Sequence, residues 1–517
     1  MNHPTARHVH VAIAGSGFAG LGMAIRLKQE GRDDFLIFER AHEVGGVWRD
    51  NSYPGCACDV QSHLYSFSFA PNPDWSRSYS PQPEIQAYLQ GCADRFGIRP
   101  HVRFGHTIEE AVWQADQQHW RLQTTQGVYT ADVFVSGVGG LSEPSLPRLP
   151  GLESFRGRVF HSARWDHSYD LTGRNVAVVG TGASAIQFVP AIQPKVGKLT
   201  LFQRTPPWIV PREDRAFSDG EKRRWRRSGV ARWLTRASIY ARRELMAIAF
   251  LHPRLARLGE RMALQHLERS VSDPALRKKL TPSYRLGCKR VLVSDDYLPS
   301  LTRPNVELVT AGIQALRPHA IVGNDGVEHP VDAIIFGTGF HTTDVPFARH
   351  VVGKDGRTLD DVWAGSPRAH LGTTVAGFPN FFFLQGPNTG LGHTSVIIMI
   401  ESQIAHVLGA LRFMRRRGVA AVEPRADAQQ AFVDEVDAKM RTTVWSVGGC
   451  SSWYLDRTGR NSTLWPGYTF SFKRRVERFV PADYVAEAPA ALRADADAGA
   501  RRAPAPTARA AGGAGAR

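Results

Sequence analysis

The chain has 517 residues, 43% of them hydrophobic and 22% charged, with a formal net charge of +16. This length is too great for one hydrophobic core and suggests two to four domains, and the composition is that of an ordinary globular protein. No apolar run reaches the ~18 residues that a membrane helix needs, and the first residues lead directly into a strand, so neither an integral membrane segment nor a signal peptide is expected.

The five cysteines do not have the spacing of a disulfide framework or a metal site. Cys56 and Cys58 form a CxC pair, whereas Cys92, Cys288 and Cys450 are scattered. We therefore expect five reduced thiols, no bound metal and a cytoplasmic protein.

The first predicted elements are a strand, a glycine-rich turn, a helix and a second strand over residues 9–39. Gly15, Gly17 and Gly20 form GxGxxG, in which glycines permit a tight turn, close approach of a pyrophosphate and close helix–strand packing. The helix N-terminus then directs free N–H groups towards the phosphates. Glu39 ends the second strand, where a carboxylate can accept hydrogen bonds from both ribose hydroxyls. The pattern predicts a dinucleotide site.

The same pattern recurs over residues 174–203, with Gly180, Gly182 and Ala185 as its fingerprint. Two such units predict an α/β chain with two Rossmann-like domains. A further apolar strand within residues 332–340 ends in Gly-Thr-Gly, which is typical of a crossover between the two nucleotide domains.

The second unit has no acid at the position that Glu39 takes in the first. Its strand ends in Gln203, followed by Arg204 and Thr205. A carboxylate there would repel a 2′-phosphate, whereas an amide beside an arginine and a hydroxyl would accept one. The second site is therefore predicted to bind NADPH rather than NADH; the alternative is a surface arginine beside an NADH site. Two dinucleotide sites indicate a flavin that receives hydride from a nicotinamide.

Residues 213–287 form a predicted helical insertion in the second unit and carry much of the positive charge, mainly within 221–262. We expect a basic, solvated outer face there; weak peripheral contact with a membrane is the alternative. No nucleic-acid module is visible, so nucleic acid is not an expected partner. The helices are predicted to share an apolar stripe made of Trp225, Val230, Trp233, Leu234 and Ile239.

A specific motif lies between the two units. FRGRVFHSARWD fits FxGxxxHxxxW(P/D) through Phe155, Gly157, His161, Trp165 and Asp166. With the segments GGVWRDNSYPGCACD, GCKR, GPNTGLGH and SSWYLDRTGRNSTLWPG, the chain resembles the type I Baeyer–Villiger monooxygenases over roughly residues 8–475. The resemblance implies FAD and NADPH as cofactors, and conversion of a ketone and O2 to an ester or lactone through a C4a-peroxyflavin.

The resemblance also implies the catalytic residues. Arg290 of GCKR matches the family's catalytic arginine, and Asp59 matches the carboxylate that orients it. A fixed, always charged guanidinium suits this task because it can stabilise negative charge on oxygen in a site that excludes water. Lys289 matches the lysine that approaches the NADPH 2′-phosphate. A structural Arg–Asp pair and a solvated lysine are the alternatives.

Further cofactor contacts follow from the same resemblance. Trp453 matches a tryptophan on a mobile loop that closes over NADP, with a buried core residue as the alternative. His161 is expected to join the domains, coupling NADP movement to domain rotation, rather than to act as a base; hinge packing is the alternative. Core packing is the alternative for Tyr65, Val112 and Met399. The residues expected at FAD also include Ser16, Phe18, Gly45, Gly46, Val47 and Trp48, and those at NADP include Thr181, Ala183, Ser184 and Gln187.

The predicted organisation has six segments. They are the first part of the FAD-binding domain (1–150), the first part of the NADP-binding domain (151–212), the insertion (213–287), the second part of the NADP-binding domain (288–339), the second part of the FAD-binding domain with its mobile loop (340–485), and an Ala/Arg-rich tail expected to be disordered (486–517).

Three other functions compete with this interpretation: a nitrogen- or sulfur-oxygenating flavin monooxygenase, a flavin disulfide reductase, and a basic binding protein without activity. Trp165 and Asp166 argue against the first, and the CACD segment lacks the CxxxxC that the second needs. The ketone, the selectivity, any sulfoxidation and the oligomeric state stay open.

Overall fold

A mixed eight-stranded β-sheet, a parallel five-stranded β-sheet and a set of helices organise residues 6–490, the part of the chain that this computed structural model describes. The first part contains strands β1 (Arg7–Ala14), β2 (Phe35–Glu39), β3 (Val102–Phe104), β4 (Ile108–Gln114), β5 (His119–Thr124) and β6 (Gly127–Ser136), with helices α1 (Phe18–Gln29), α2 (Val47–Asp50) and α3 (Gln82–Arg95). The middle part contains strands β7 (Arg158–His161), β8 (Asn175–Val179), β9 (Lys198–Phe202), β10 (Ile209–Val210), β11 (Leu292–Val293), β12 (Val306–Val309), β13 (Ile313–Arg317), β14 (Ala320–Gly323), β15 (Glu328–Pro330) and β16 (Ala333–Phe336), and helices α4 (Ala185–Ile192), α5 (Asp219–Arg227), α6 (Gly229–Leu251), α7 (Ala256–Ser270), α8 (Pro274–Leu280) and α9 (Tyr297–Ser300). The last part contains strands β17 (Val351–Val352), β18 (Phe381–Phe383), β19 (Ala421–Pro424) and β20 (Tyr484–Glu487), and helices α10 (Leu359–Trp363), α11 (Val396–Arg417), α12 (Ala426–Met440), α13 (Val444–Val447) and α14 (Thr469–Val476).

The first sheet has the strand order β17-β4-β5-β6-β1-β2-β3, with β18 paired to β6. Strand β1 lies between β2 and β6 and is parallel to both, with Ile13 opposite Ile37 and Val135. Strand β2 is buried along its whole length, as expected for an apolar strand inside a parallel sheet. The sheet therefore directs the carboxyl ends of β1 and β2, where the first glycine-rich turn and Glu39 lie, to one edge.

The second sheet has the order β12-β9-β8-β16-β7 and is parallel throughout. Helix α4 follows β8 and leads to β9, which is the second βαβ unit that the sequence predicts. Together the two sheets confirm the predicted fold class, an α/β chain with two Rossmann-like units and a helical insertion.

The chain crosses between the sheets twice, after β6 and after β16. The two crossing segments lie side by side: the N–H of Ser145 donates to the carbonyl oxygen of Gly339 at 2.9 Å, and the N–H of His341 donates to that of Glu143 at 2.9 Å. The sequence predicted the second of these crossovers, within residues 332–340, whereas the six domain boundaries stay a prediction.

The helical insertion differs from its predicted packing. Trp225 and Ile239 are buried, but Val230, Trp233 and Leu234 are exposed, so the expected inward stripe is wrong for three of its five residues. A helix boundary at residue 228, where the Ser228 hydroxyl caps α6, places Trp225 on α5 and the other four residues on α6. Within α6, Ile239 lies on the buried face, and the three exposed residues lie on another face.

Two of the five cysteines form a disulfide, between Cys288 and Cys450, with their Cα atoms 6.1 Å apart. Our expectation of five reduced thiols is wrong for this pair, whereas Cys56, Cys58 and Cys92 are free and buried. The bonded residues are 162 positions apart, and no local spacing signals a pairing that only the tertiary fold creates.

Helix α11 is long and apolar enough to cross a membrane by length and composition, with a mean hydropathy of 1.5 over its best window. However, 61% of that window is buried inside the protein, and the helix packs against α1 and α14. These contacts are those of a core helix.

The last described strand, β20, pairs with β19 through residue 487. Ordered structure therefore continues slightly beyond position 486, where the tail was predicted to begin. Residues 491–517 of that tail lie outside the described part of the chain.

Candidate active site

The turn after β1 and the loop before α2 meet through glycines. Gly15 has φ = +89°, and a Cβ there would lie 3.0 Å from the carbonyl oxygen of Gly137. A Cβ on Gly20 would lie 1.9 Å from the carbonyl oxygen of Gly15, so α1 can pack on this turn only with glycine. A Cβ on Gly46 would lie 3.0 Å from the Cα of Gly17. The resulting surface is bare backbone, which fits close approach of a pyrophosphate.

Glu39, buried at the end of β2, fastens the second strand to the turn. Its Oε2 accepts hydrogen bonds from the backbone N–H (3.0 Å) and the hydroxyl (2.6 Å) of Ser16. Its Oε1 accepts from the N–H of Ala41 at 2.9 Å and pairs with Arg49 at 3.0 Å. A carboxylate has about four acceptor positions, and these four donors already use them, so the predicted ribose contact of Glu39 stays a prediction.

Aromatic side chains surround the glycine loop. The N–H of Gly45 donates to the carbonyl oxygen of Ser16 at 3.0 Å, so the loop lies on the turn. Trp48 Nε1 donates to the hydroxyl of Tyr65 at 3.1 Å, and Phe18 packs edge-on against Tyr65 with ring centres 5.2 Å apart. These residues, predicted separately to contact FAD, are therefore neighbours.

Three other residues predicted at FAD lie on separate elements. Val47 begins α2, directly after the glycine loop. Val112 lies in β4 opposite Arg121, and Met399 is fully buried on α11 in a cluster with Trp465. Within residues 6–490 no recorded contact joins Val112 or Met399 to the turn after β1, so both assignments stay predictions.

The second glycine-rich turn follows β8. Gly180 has φ = +110°, and a Cβ there would lie 2.4 Å from the carbonyl oxygen of Gly337, at the second crossover. Ala185 is fully buried at the start of α4, and the Thr181 hydroxyl donates to the carbonyl oxygen of Thr205 at 3.3 Å. Gly182 and Ala183 are exposed in this turn, and Ser184 is half-buried.

Gln187 joins the two halves of the site. Its Oε1 accepts hydrogen bonds from the hydroxyl of Tyr53 at 2.9 Å and the N–H of Ala57 at 3.3 Å, and its Nε2 donates to the carbonyl oxygen of Ala57 at 3.0 Å. Helix α4 is thereby tied to the segment that carries Asp59. This side chain is already used by the protein, and its predicted contact with NADP stays a prediction.

Arg204 and Lys289, from distant parts of the sequence, lie near one another. Burial and then the positive charge of Arg204 lower the pKa of the Lys289 ammonium group. Among residues 6–490 neither cation has a carboxylate within 4.0 Å. Gln203 is buried beside them; its Nε2 donates to the carbonyl oxygen of Lys279 at 2.8 Å, while its Oε1 has no donor. Two unpaired cations and no acid fit a phosphate dianion.

Arg290 and Asp59 form the ion pair that the sequence predicts. Arg290 Nε lies 2.8 Å, and Nη2 2.6 Å, from Oδ2 of Asp59. Burial acts to raise the pKa of Asp59, but the Arg290 charge and its hydrogen bond hold that pKa below its ordinary value. The Asp59 charge in turn raises the pKa of Arg290. Side-chain exposures of 30% and 26% show that small molecules can still reach the pair.

Two further residues at this pair were missed by sequence reasoning. Arg243 of α6 donates from Nη2 to the carbonyl oxygen of Asp59 at 3.1 Å and from Nε to Gln61 at 2.7 Å. Tyr454 is buried close enough to Arg290 for the two to interact; burial raises the pKa of Tyr454 to about 12 although the arginine acts to lower it. Nothing in the sequence distinguishes Arg243 from the many other arginines. Tyr454 could have been found, because it directly follows Trp453 in the motif.

The fingerprint between the two units lies at the first crossover. His161 is buried at the end of β7, where its Nδ1 accepts a hydrogen bond from the N–H of Ala163 at 3.1 Å and its ring packs against Phe340 of the other crossover. Burial lowers the pKa of His161 to about 4. No recorded contact within the described residues joins it to Arg290 or Asp59.

The other fingerprint residues support the local fold. A Cβ on Gly157 would lie 2.4 Å from the carbonyl oxygen of Asp332, and the Phe155 ring packs beside it. Trp165 packs against Phe188 of α4 with ring centres 5.4 Å apart. Asp166 pairs with Arg158 and caps the following turn. None of these contacts involves the ion pair at Arg290.

Trp453 is exposed on the loop after α13, so it is not a buried core residue. Its carbonyl oxygen accepts a hydrogen bond from the Thr342 hydroxyl at 3.2 Å, and the disulfide at Cys450 ties the same loop to the segment that carries Arg290. Separately, no group of three or more His, Cys, Asp or Glu residues within positions 6–490 is arranged to hold a metal ion.

Comparison with known proteins identifies the family. A sequence model described as flavin-binding monooxygenase-like matches residues 8–357, more than half of the chain. A Baeyer–Villiger monooxygenase of Streptomyces coelicolor is 52% identical over 500 residues, which are 95% of this chain and 96% of the relative. One of Pseudomonas aeruginosa is 53% identical over 483 residues, covering 93% and 92%. The chain belongs to the Baeyer–Villiger monooxygenases.

Solved structures of similar proteins support the assignment of this Baeyer–Villiger monooxygenase to its family. A cyclohexanone monooxygenase from Rhodococcus sp. Phi1 bound to NADP+ has a TM-score of 0.83 at 27% identity, covering 94% of this chain and all of the other. An oxidised steroid monooxygenase bound to NADP has 0.82 at 29%, covering 93% and 99%. The protein is an FAD-containing, NADPH-dependent monooxygenase, and the predicted family, activity and cofactors are confirmed.

Proposed function

We propose that this Baeyer–Villiger monooxygenase oxidises a small-molecule ketone at the Arg290–Asp59 pair, with NADPH held by Arg204 and Lys289. The overall reaction takes a ketone, O2, NADPH and a proton to an ester or lactone, NADP+ and water. The observation that supports this most strongly is a partly accessible arginine whose charge is fixed by a carboxylate, within a chain that has two dinucleotide turns.

Arg290 acts as a fixed cation. Bound flavin, once reduced, supplies the two electrons that activate O2. The Asp59 carboxylate accepts from Nε and Nη2 of the guanidinium. Nη1 is therefore left to donate a hydrogen bond to an oxygen atom of the reactants. Negative charge develops on oxygen when the ketone carbonyl is attacked, and a donor that is already oriented stabilises it without reorganisation. The guanidinium stays protonated at every working pH because its pKa is raised.

Asp59, Arg243 and Tyr454 position that arginine. Arg290 donates to the carboxylate of Asp59, and Arg243 donates to the backbone carbonyl oxygen of the same residue. Helix α6 of the helical insertion therefore supports the catalytic segment. Tyr454, on the loop that carries Trp453, lies near enough to Arg290 for its charge to act on the arginine. A guanidinium that is held by Asp59, which Arg243 supports in turn, loses little conformational freedom when substrate binds.

The NADP-binding residues act in two ways: two side chains supply positive charge, and the glycines of the turn leave room for the cofactor. Gly180 and Gly182 leave backbone accessible at the start of α4, and Arg204 with Lys289 offers two positive charges where a 2′-phosphate would lie. Trp453 would help to hold bound NADP, and closure of its loop would exclude water from the site. His161 stays neutral above about pH 4 and serves the crossover.

The cellular location and domain boundaries belong to the same proposal. A cytoplasmic site of action is favoured by dependence on NADPH and by three free cysteines, while the Cys288–Cys450 disulfide does not favour it. The FAD-binding domain takes residues 1–150 and 340–485, and the NADP-binding domain takes 151–212 and 288–339, on either side of the insertion.

A panel of aliphatic, cyclic, aromatic and steroid ketones tests the proposal. The purified yellow protein is incubated with NADPH and 18O2, and products are identified by mass. We expect at least one ketone to gain a single labelled oxygen as an ester or lactone. If no ketone is converted while amines or sulfides are oxygenated, the nitrogen- or sulfur-oxygenating alternative is correct instead.

A further inference from the structure

Helix α6 has an exposed apolar face that nothing in the described structure covers. Val230, Trp233, Leu234 and Leu245 are 68%, 65%, 50% and 65% exposed. The spacing continues through Ala237 and exposed Ala241 at three- and four-residue steps, so these side chains form one stripe, about 22 Å long. Large apolar side chains exposed together on a monomer usually mark an interaction site.

The opposite face of α6 already packs on the protein, so the exposed stripe is a second apolar face. Ala231, Ile239, Ala247 and Phe250 are buried there, and Arg243 reaches Asp59. A helix that only covered the core would need apolar residues on that inner face alone. The outer stripe is therefore unexplained by folding.

Helix α7 repeats this arrangement directly after α6. Leu255, Leu258 and Met262 are exposed, the second of them by 76%. Helix α7 also has its own buried face, formed by Ala256, Ala263 and Leu267. Two successive helices thus each present apolar residues to solvent while burying a separate face.

Arginines surround the exposed apolar residues. Residues 219–270 contain thirteen lysines and arginines and five acidic residues. Of the acids, Glu221 pairs with Arg215, Glu260 with Arg285, and Glu244 is buried against His393, while Asp219 and Glu268 stay at the surface. Within residues 219–270, all of which the structure describes, eight exposed arginines have no acid within 4.0 Å: Arg223, Arg224, Arg227, Arg242, Arg254, Arg257, Arg261 and Arg269.

We propose that the outer face of α5, α6 and α7 docks on an anionic lipid bilayer. Trp233, Leu234 and Leu245 would insert at the level of the headgroups, and the unpaired arginines would contact lipid phosphates. Exposed apolar residues flanked by unpaired cations are what such a surface requires, and tryptophan is enriched at this depth of the bilayer.

The charge argues against a second copy of the chain as the occupant. A twofold interface would place this surface against itself and bring the arginines of the two copies together. Juxtaposed like charges oppose association, whereas an anionic lipid surface neutralises them.

Vesicle flotation of the full-length holoenzyme tests the proposal. Vesicles of phosphatidylcholine with added phosphatidylglycerol should carry the protein at low salt, phosphatidylcholine alone should not, and raised salt should release it because the charges are screened. In the wild type, anionic vesicles should slow amide hydrogen exchange in residues 219–262. That measurement requires no variant.

Two variants separate the apolar and the charged contributions. The triple variant W233S/L234S/L245S and the triple variant R223Q/R224Q/R227Q should each lower the partition coefficient about tenfold or more. NADPH oxidation in the absence of vesicles should match the wild type, since these side chains make no contact with the catalytic pair.

Two control variants change the same kinds of side chain on other parts of the surface. R415Q/R416Q/R417Q removes three exposed arginines from the last turn of α11, and L146S/V327S removes two exposed apolar side chains. Both should float like the wild type. Equal binding by the W233S/L234S/L245S variant, no preference for anionic lipid, or a dimer in solution that this variant dissociates would each overturn the proposal.

Discussion

Arg204 and Lys289 are cations that the fold brings together without an acid between them. Mutual repulsion and burial make this arrangement unfavourable in the protein alone, so an anion bound there gains from both charges. Gln203 leaves the end of β9 without the carboxylate that Glu39 supplies at the end of β2. The two dinucleotide-binding units therefore differ in charge at the end of the second strand, where one has a carboxylate and the other a neutral amide.

Replacing Arg204 or Lys289 by alanine should weaken NADPH binding selectively. A charge-assisted hydrogen bond contributes about 1.5–3 kcal/mol, so we expect the KM for NADPH to rise about tenfold or more and the KM for NADH to change less than about threefold. Steady-state kinetics with both cofactors measure this.

Arg303→Ala is a suitable control for these variants. Arg303 is exposed before β12, whereas Arg204 follows β9, so the two lie at opposite ends of parallel strands in one sheet. The control should leave both KM values unchanged. Equal effects of Arg204→Ala on NADPH and NADH would show that no 2′-phosphate binds there.

The sequence predicts some residues of the site better than others. Arg290 and Asp59 are 231 positions apart, yet each lies in a recognisable motif, and the structure pairs them. Arg243 lies in no such motif, and Tyr454 lies in one that does not single it out, because the contribution of each depends on how α6 and the loop after α13 pack on the catalytic segment. Positioning residues arise from tertiary contacts, and a single sequence does not reveal those contacts.

At the scale of elements, the Cys288–Cys450 disulfide joins two functional segments. One carries Lys289 and Arg290, and the other carries Trp453 and Tyr454. The bond therefore limits how far the loop can move from the catalytic arginine. Scattered cysteines in a long chain gave no sign of it, since the pairing of two residues 162 positions apart depends on the fold of the chain between them.

Removing this disulfide should destabilise the protein and loosen the loop. The double variant C288A/C450A should lower the free energy of unfolding by about 2–4 kcal/mol and release severalfold more H2O2 per NADPH, because water enters the site. Denaturant unfolding and peroxide assays measure both effects.

A reductant provides the control for that experiment. Dithiothreitol should reproduce both effects in the wild type and have no further effect on C288A/C450A. If reduced wild type is as stable and as well coupled as the oxidised protein, the disulfide neither stabilises the fold nor restrains the loop.

Helix boundaries also limited what the sequence could predict. The helical character of residues 213–287 follows from apolar spacing, but spacing alone does not say where each helix ends or which apolar face is buried. Trp225 and Trp233 both fit one continuous stripe, and the capping residue Ser228 separates them into a buried and an exposed residue. The general arrangement of the two sheets was easier to predict, because each glycine-rich turn fixes a strand, a helix and their order.

At the scale of the whole molecule, buried histidines should set the acid stability. Burial lowers the pKa of His63, His161 and His406 to about 4, whereas an unfolded histidine titrates near 6.5. Between these values the unfolded chain binds protons that the folded chain does not. Stability therefore falls as pH drops from about 6.5 to 4, by up to about 3 kcal/mol per histidine.

The melting temperature should accordingly be nearly constant from pH 8 to 7 and should decrease below pH 6.5. Calorimetry of the holoenzyme over this range measures it. Carboxylates such as Asp59, whose pKa is lowered, contribute stability above about pH 4 and lose it only in stronger acid. A melting temperature unchanged between pH 7 and 5 would contradict the assignment of these histidines as neutral.

The role of Arg290 is tested most directly by stopped-flow kinetics of the Arg290→Ala variant with NADPH, followed by O2 and a ketone that the wild type converts. The expected result is flavin reduction within about threefold of the wild-type rate, no ester, and peroxide release matching the NADPH consumed, because only oxygen transfer needs the guanidinium. Ester formation at the wild-type rate would contradict the account.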